Sequence, residues 1–284
     1  MQSLWIVFVF IYSILKGGRD GMKKAALKKS STDEVLFFYT LIGFVFTLPN
    51  IAEAIRLPYE LIFFIFIKSA VCCTAWLFSC MALGKMSVSL YGVIDLSRVL
   101  FSTMLGVFAL GESMTWQKAV GASVVIAGLL MLNAKKTSEV KTASLGVITA
   151  ALLNCFFNAV SGTMDKVLMK YMSSSQLQFW FMLFMTLIYL AVIAIKRERI
   201  SVRTLRCNIW IPLMSISLVL GDRFLFEANA APQSEVTVMT IIKQSSVVVS
   251  VLVGRIFFKE KQILYKLLCA LVVLLGIFIP ILIK

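Results

Sequence analysis

Apolar residues run through this chain in long blocks separated by short polar connections. Trp5–Leu15, Leu36–Leu48, Leu61–Ile67, Val120–Leu132 and Leu267–Ile283 hold very few polar side chains. A membrane-crossing helix needs about 20 mostly apolar residues. Extended through their flanks, the blocks predict ten spans at 3–27, 34–52, 60–83, 87–110, 115–133, 144–169, 176–195, 208–230, 235–257 and 263–283. Ser31 and Glu34 form a capping-box pattern that starts the second span, and Pro49 and Pro58 bracket the connection after it. Ten spans leave about 28 residues each for a helix and its loop. That leaves no room for a large domain outside the membrane, and the first apolar run counts as a span rather than a cleaved leader.

Composition agrees. Hydrophobic residues make up 60% of the 284 and charged ones 15%, against roughly a quarter charged in soluble proteins. A water-soluble enzyme and a disulfide-rich secreted domain are both excluded. The 28 Lys+Arg and 14 Asp+Glu give a net charge of +14. In a soluble protein that excess would suggest nucleic acid; here it reads as loop charge that fixes topology, and no nucleic-acid partner is expected. There is no histidine, so no histidine proton relay or metal site. The cysteines at 72, 73, 80, 155, 207 and 269 lie in or beside apolar runs without metal-type spacing. They read as small buried apolar residues, and no cofactor or metal is expected.

The two halves resemble each other. A shift of 148 residues aligns Ser69–Met131 with Ser217–Ile279, with 17 identities in 63 positions. Among them are Ser97/Ser245, Gly106/Gly254, Glu112/Glu260, Lys118/Lys266 and Gly128/Gly276. Upstream the shift is 142, pairing Lys24 with Lys166 and Ser31 with Ser173. The chain therefore divides into a five-helix repeat at 1–134, a basic inter-repeat loop at 135–143 and a second five-helix repeat at 144–284. Because five is odd, the second repeat is upside down relative to the first. Inverted repeats with a substrate site at their interface are a mark of secondary transporters. The predicted fold class is thus an all-α integral membrane protein of ten transmembrane helices. Connections after odd spans carry 17 Lys+Arg and those after even spans carry 4. The positive-inside rule then places the odd connections in the cytoplasm and both termini outside.

At Ala109–Gly128, where Leu110-Gly111-Glu112 precedes a span with spaced glycines, the chain resembles the EamA-like members of the drug/metabolite transporter superfamily. The second copy keeps Glu260 and Gly276 but has Lys259 in place of the loop glycine. The resemblance covers the whole chain. It implies that spans 1–4 and 6–9 surround a central cavity with spans 5 and 10 packed outside. A second stretch, Lys243-Gln-Ser-Ser-Val-Val-Val-Ser250, is similar to span 9 of organellar phosphate-sugar translocators, in which a Lys followed by Arg contacts phosphate. Lys243 matches the Lys, while Gln244 replaces the Arg.

Charges inside spans are costly, about 2.5–3.5 kcal/mol each at a helix centre, and so mark function. Six cations (Lys16, Arg19, Lys68, Arg98, Arg223, Lys243) and five acids (Asp20, Asp95, Asp165, Asp222, Glu227) fall there. Spacing predicts Asp95–Arg98 and Arg223–Glu227 pairs. Asp95 and Lys243, equivalent in the two repeats, are expected to face one cavity. Lys68, Asp165 and Asp222 are expected near a membrane interface, with Lys68 snorkelling. Lys16-Gly-Gly-Arg-Asp-Gly21 suits a broken or closely packed helix. Asn154 and Asn158 share a face of span 6 at the depth of Tyr12 and Lys16. Trp76, Phe224 and Phe226 are possible cavity walls, and Glu112 and Glu260 read as helix-end or interhelix contacts.

The expected substrate-binding residues are therefore Lys243, Arg98, Arg19, Lys16, Asn154, Asn158, Arg223, Gln244 and Trp76. Asp95 and Glu227 are the expected proton or ion carriers. The expected function is alternating-access transport of a small anionic or zwitterionic metabolite in a bacterial cell membrane, with a coupling proton or exchanged solute, by a monomer or weak dimer. Export of cationic drugs and flipping of a lipid or lipid-linked sugar are the alternatives. A lipid-head-group enzyme would need a nucleophile–base or metal cluster that the spans lack.

Overall fold

The structure is a computed structural model, described for residues 4–110, 114–134, 144–197, 200–201, 207–230, 242–260 and 262–282. Among these residues it contains α-helices and no strand. In chain order the helices are α1 (Leu4–Leu27), α2 (Thr32–Thr47), α3 (Ile51–Ala54), α4 (Tyr59–Lys85), α5 (Val88–Asp95) and α6 (Arg98–Leu110). They continue with α7 (Trp116–Ala134), α8 (Leu145–Leu168), α9 (Ser174–Lys196), α10 (Trp210–Ala230), α11 (Ser246–Phe258) and α12 (Ile263–Leu282). Five stretches, at 32–54, 59–85, 88–108, 145–165 and 174–196, are long and apolar enough to cross a membrane, and 119–128 and 263–276 are shorter apolar helices. α1 and α10 fall short because charges interrupt them: Lys16, Arg19 and Asp20 in one, Asp222, Arg223 and Glu227 in the other.

Helix starts follow local chemistry. The Ser31 hydroxyl accepts from the Glu34 amide at 3.3 Å and opens α2. Its repeat counterpart Ser173 opens α9 with a full reciprocal box, accepting from Gln176 N while its own N–H donates to Gln176 Oε1. Pro49 falls in a 3-10 turn, Leu48–Asn50, between α2 and α3. Pro58 precedes α4, where a missing N–H costs nothing.

The helices pack in a pattern that survives exchange of the halves. α1 lies along α10, and α8, the counterpart of α1, lies along α4, the counterpart of α10. Likewise α1 meets α11 while α8 meets α6, and α2 meets α10 while α9 meets α4. Counterparts also pack on each other, α2 on α9 and α7 on α12, and α5 packs on α11. The α7–α12 contact is close because Gly128 and Gly276 face the opposite backbone. A Cβ on Gly276 would lie 2.8 Å from Gly121 O and from Val125 N. Gly276→Val should therefore force these helices apart, at a cost of about 1–3 kcal/mol. A lowered midpoint in detergent thermal unfolding is the expected result.

The polarity of a soluble protein is reversed. Phe108, Ile195 and Leu264 are each 82% exposed, whereas Lys16, Lys68, Asp95 and Lys266 are buried. An apolar exterior around buried charges fits a lipid surround.

Candidate functional site

The Gly-Gly sequence of span 1 does not break its helix, since α1 is continuous. Gly17 and Gly21 instead serve close packing. A Cβ on Gly17 would lie 2.5 Å from Ser246 O, and one on Gly21 would lie 2.3 Å from Val253 Cγ1. The breaks fall instead in the fourth and ninth segments, at equivalent positions. α5 ends at Asp95 and α6 begins at Arg98, with 3-10-type bonds from Ser97 N to Ile94 O at 2.9 Å and from Val99 N to Leu96 O at 3.1 Å. At the counterpart, Ser245 N donates to Ile242 O at 3.1 Å and Val248 N to Ser245 O at 3.0 Å. Ser13 of α1 also donates to Ile242 O, at 2.7 Å. Interrupted helices expose backbone groups and place charges at mid-depth.

Beside these breaks lies a cavity of about 620 Å³. α1, α4, α5, α6, α8, α10 and Lys243–Gln244 all contribute to its wall. Asp95 is its anchor. One carboxylate oxygen accepts from Lys16 Nζ at 2.8 Å and the other from Arg98 Nη2 at 2.9 Å. The local Asp95–Arg98 pair thus forms as its spacing predicts, and Lys16 joins it from α1. Asp95 and Lys243 line the same cavity, but both Asp95 oxygens are occupied by these other cations. Among the described residues Lys243 makes no ion pair; its ammonium stands 5.8 Å from the centre of the Tyr12 ring. Gln244 is 5% exposed, lines the cavity and has no hydrogen bond among the described residues. Arg19 also lines the cavity, and its buried Nη1 has no hydrogen-bond partner among the described residues.

A neutral hydrogen-bonded wall completes the enclosure. Asn158 Nδ2 donates to Asn154 Oδ1 at 2.7 Å, and Asn154 Nδ2 donates to Tyr91 OH at 2.9 Å. Tyr91 shares a 2.8 Å bond with Ser79, which accepts from Lys23 Nζ at 3.1 Å. Trp76 lines the cavity against Tyr39, with ring centres 5.0 Å apart, and Lys23 lies 5.8 Å from its ring. Phe226 lines the cavity too, while Phe224 packs against Phe8 elsewhere.

Three expectations from sequence are corrected. Lys68 does not snorkel to an interface: its side chain is 3% exposed, pairs with Asp165 at 3.0 Å and sits 3.6 Å above the Phe181 ring. Asp165 and Asp222 line the cavity with it. Lys23 and Lys24, two of the 17 cations counted in the odd connections, belong to α1, and Lys23 is 7% exposed on the cavity wall. Lys85, Lys196, Arg255 and Lys266 on the odd side and Lys118 and Lys166 on the even side also lie within helices. Without all of these, Lys23 and Lys24 included, the odd connections keep 11 Lys+Arg against 2, so the charge asymmetry stands. Arg223 and Glu227 lie off the cavity. They are about half exposed and 3.7 Å apart, a pair made by i,i+4 spacing on an outer face. The cavity wall thus holds six cations (Lys16, Arg19, Lys23, Lys68, Arg98, Lys243) and four carboxylates (Asp20, Asp95, Asp165, Asp222), with Lys170 at its edge. No cluster of three or more metal-binding side chains occurs among the described residues.

Glu260 does not line the cavity. It is buried at a helix-end junction, where it accepts from the Val88 amide at 2.8 Å. Glu112 lies outside the described residues.

Comparison with known proteins fits this architecture. The sequence profile of the EamA-like transporter family matches residues 3–134 and 145–282. The chain belongs to the EamA-like transporter family, within the drug/metabolite transporter superfamily, and is a multi-pass integral membrane protein. Among curated proteins none matches it significantly. A solved crystal structure of 12% sequence identity superposes with a TM-score of 0.63 over 98% of this chain and 95% of its own. At that identity the likeness shows the fold alone.

Proposed function

We propose that the chain crosses the membrane ten times, as two inverted five-helix repeats, and carries a small polar solute with negative charge by alternating access around the central cavity. The observation that carries this reading is the wall itself: six cations face four carboxylates, and Lys243 is left without an acid partner among the described residues. A buried surplus of positive charge is costly unless an anion completes it. An anionic or zwitterionic metabolite satisfies that need, whereas an organic cation adds to the cost. The exchange symmetry of the helix contacts supports the inverted relation, because alternate opening needs two halves that can trade arrangements.

Should a proton be coupled to transport, Asp222 suits the role best. It lines the cavity and has no hydrogen bond or ion pair among the described residues. Asp95 is held by two cations, and Glu227 lies off the cavity.

The test is ligand stabilisation of the purified protein, since a ligand bound only by the native state raises its unfolding midpoint. Carboxylates, amino acids and phosphorylated metabolites are compared with quaternary ammonium cations and lipids. Stabilisation by an anion or zwitterion is the expected result; stabilisation by cations or lipids alone would refute this substrate reading. Orientation has a separate check. The charge count puts the C-terminus outside, so alkaline phosphatase fused there should be active, and an inactive, stably made fusion would reverse the assignment.

A further inference from the structure

The repeat comparison singles out Glu260, yet the cavity does not use it. Glu260 is 7% exposed. It follows a left-handed turn at Lys259, φ 51°, and its N–H returns to Gly254 O at 3.1 Å. Lys259 stands where the first repeat has Gly111, the residue type that such a φ favours. The turn carries the Glu260 carboxylate to the start of α5. There Oε1 accepts from Val88 N at 2.8 Å, and Oε2 accepts from Ser89 N at 3.1 Å and from the Ser89 hydroxyl. Lys24 of α1 lies 3.6 Å away and Lys266 of α12 lies 3.8 Å away. Lys266, 0% exposed, also donates to Ser89 Oγ at 2.6 Å. One carboxylate thus joins α1, α5, α11 and α12. Gly254 makes room for it, because a Cβ there would lie 2.5 Å from Oε2.

This knot sits where the cavity stops. On α1 the lining ends at Lys23, on α4 it ends at Ser79, and on α5 it begins at Tyr91. Towards the other end the lining runs to Met169 and Lys170, just beyond α8, and Lys170 is exposed. The knotted end is the end of the odd, basic connections.

We propose that Glu260 is the latch that holds the cavity shut at the basic-connection end, and that its release opens the site to that side. The proposal rests on the alternating-access reading. It follows from chemistry already in place: a carboxylate at a helix N-terminus takes two amides and a hydroxyl, with two ammonium groups beside it. The partners come from three other helices, α1, α5 and α12, so these contacts must part if those helices separate. Removing the charge weakens every bond at once and shifts the population towards the state open to the basic connections.

The test uses a cysteine-depleted protein with one cysteine in place of Asn158, a cavity residue, in right-side-out and inside-out vesicles. The probe is a membrane-impermeant methanethiosulfonate bearing a sulfonate. With Glu260 intact, labelling should come mainly from the side opposite the basic connections. Glu260→Gln should raise the rate from the basic-connection side about tenfold and lower the opposite rate. Glu260→Asp should fall between, and Lys24→Gln should shift in the same direction by less. A merely structural Glu260 would leave the ratio of the two rates unchanged. An unchanged ratio in Glu260→Gln overturns the proposal; if that variant does not fold, an unchanged ratio in Lys24→Gln overturns it. Labelling needs no substrate, so this outcome is separate from the substrate reading, which ligand stabilisation decides.

Discussion

Asp95→Ala should unfold at a midpoint on the order of 10 °C below the parent protein, the largest loss among the substitutions considered. Asp95 holds Lys16 at 2.8 Å and Arg98 at 2.9 Å, and its own side chain is 7% exposed. Removing it leaves two cations facing each other in a wall that already carries a positive surplus. Breaking a buried pair by deleting one partner costs about 3–5 kcal/mol, because the remaining charge stays buried. Asp95→Asn should be nearly as damaging, since the amide keeps the shape but not the charge. Combining Asp95→Ala with Lys16→Met should restore part of the loss, as the stranded ammonium is removed. Thermal unfolding of the single and double variants measures the coupling directly. Additive losses would mean that the three residues do not act as one ionic unit.

Lys243→Ala should behave in the opposite way: little change in unfolding midpoint without ligand, and solute binding weakened about tenfold or more. The Tyr12 ring centre lies 5.8 Å from the Lys243 ammonium, which makes no ion pair among the described residues. Its deletion strands no paired acid and removes a partly buried positive charge, so the empty protein loses little. The bound anion loses an ammonium partner that no acid holds among the described residues. The measurement is the concentration of a stabilising anion needed for half its maximal thermal shift, in parent and variant. Unchanged half-saturation would remove Lys243 from the binding site. Gln244→Ala should weaken binding by less, since it withdraws a neutral amide from the same wall.

How much of this was readable before the structure depends on sequence distance. The helical segments follow from apolar runs because a spanning helix must satisfy its own backbone in lipid. Asp95–Arg98 was readable because three residues bring side chains to one helix face. The Lys16–Asp95 and Lys68–Asp165 pairs were not, because partners 79 and 97 positions apart leave no local trace. Arg223–Glu227 shows the limit of spacing, which predicts the pair and not which way the face points. The breaks at Ser97 and Ser245 were hidden because serine is ordinary in either conformation, while Gly17 and Gly21 imitated a break that close packing explains. Lys23 looked like loop charge because it stands beside Lys24 near the end of α1, yet the helix turns it inward to Ser79. Glu260 was readable as a helix-end contact from its place in the repeat. Its partners on α1, α5 and α12 needed the fold.

The most direct test of alternating access around this cavity is counterflow in proteoliposomes. Vesicles are preloaded with the anion that best stabilises the purified protein, diluted, and given a trace of the labelled compound outside. Saturable, transient accumulation of label that depends on the preload, and that Lys243→Ala greatly reduces, is the predicted result. No accumulation above protein-free vesicles, with an anion that demonstrably binds, would contradict the account.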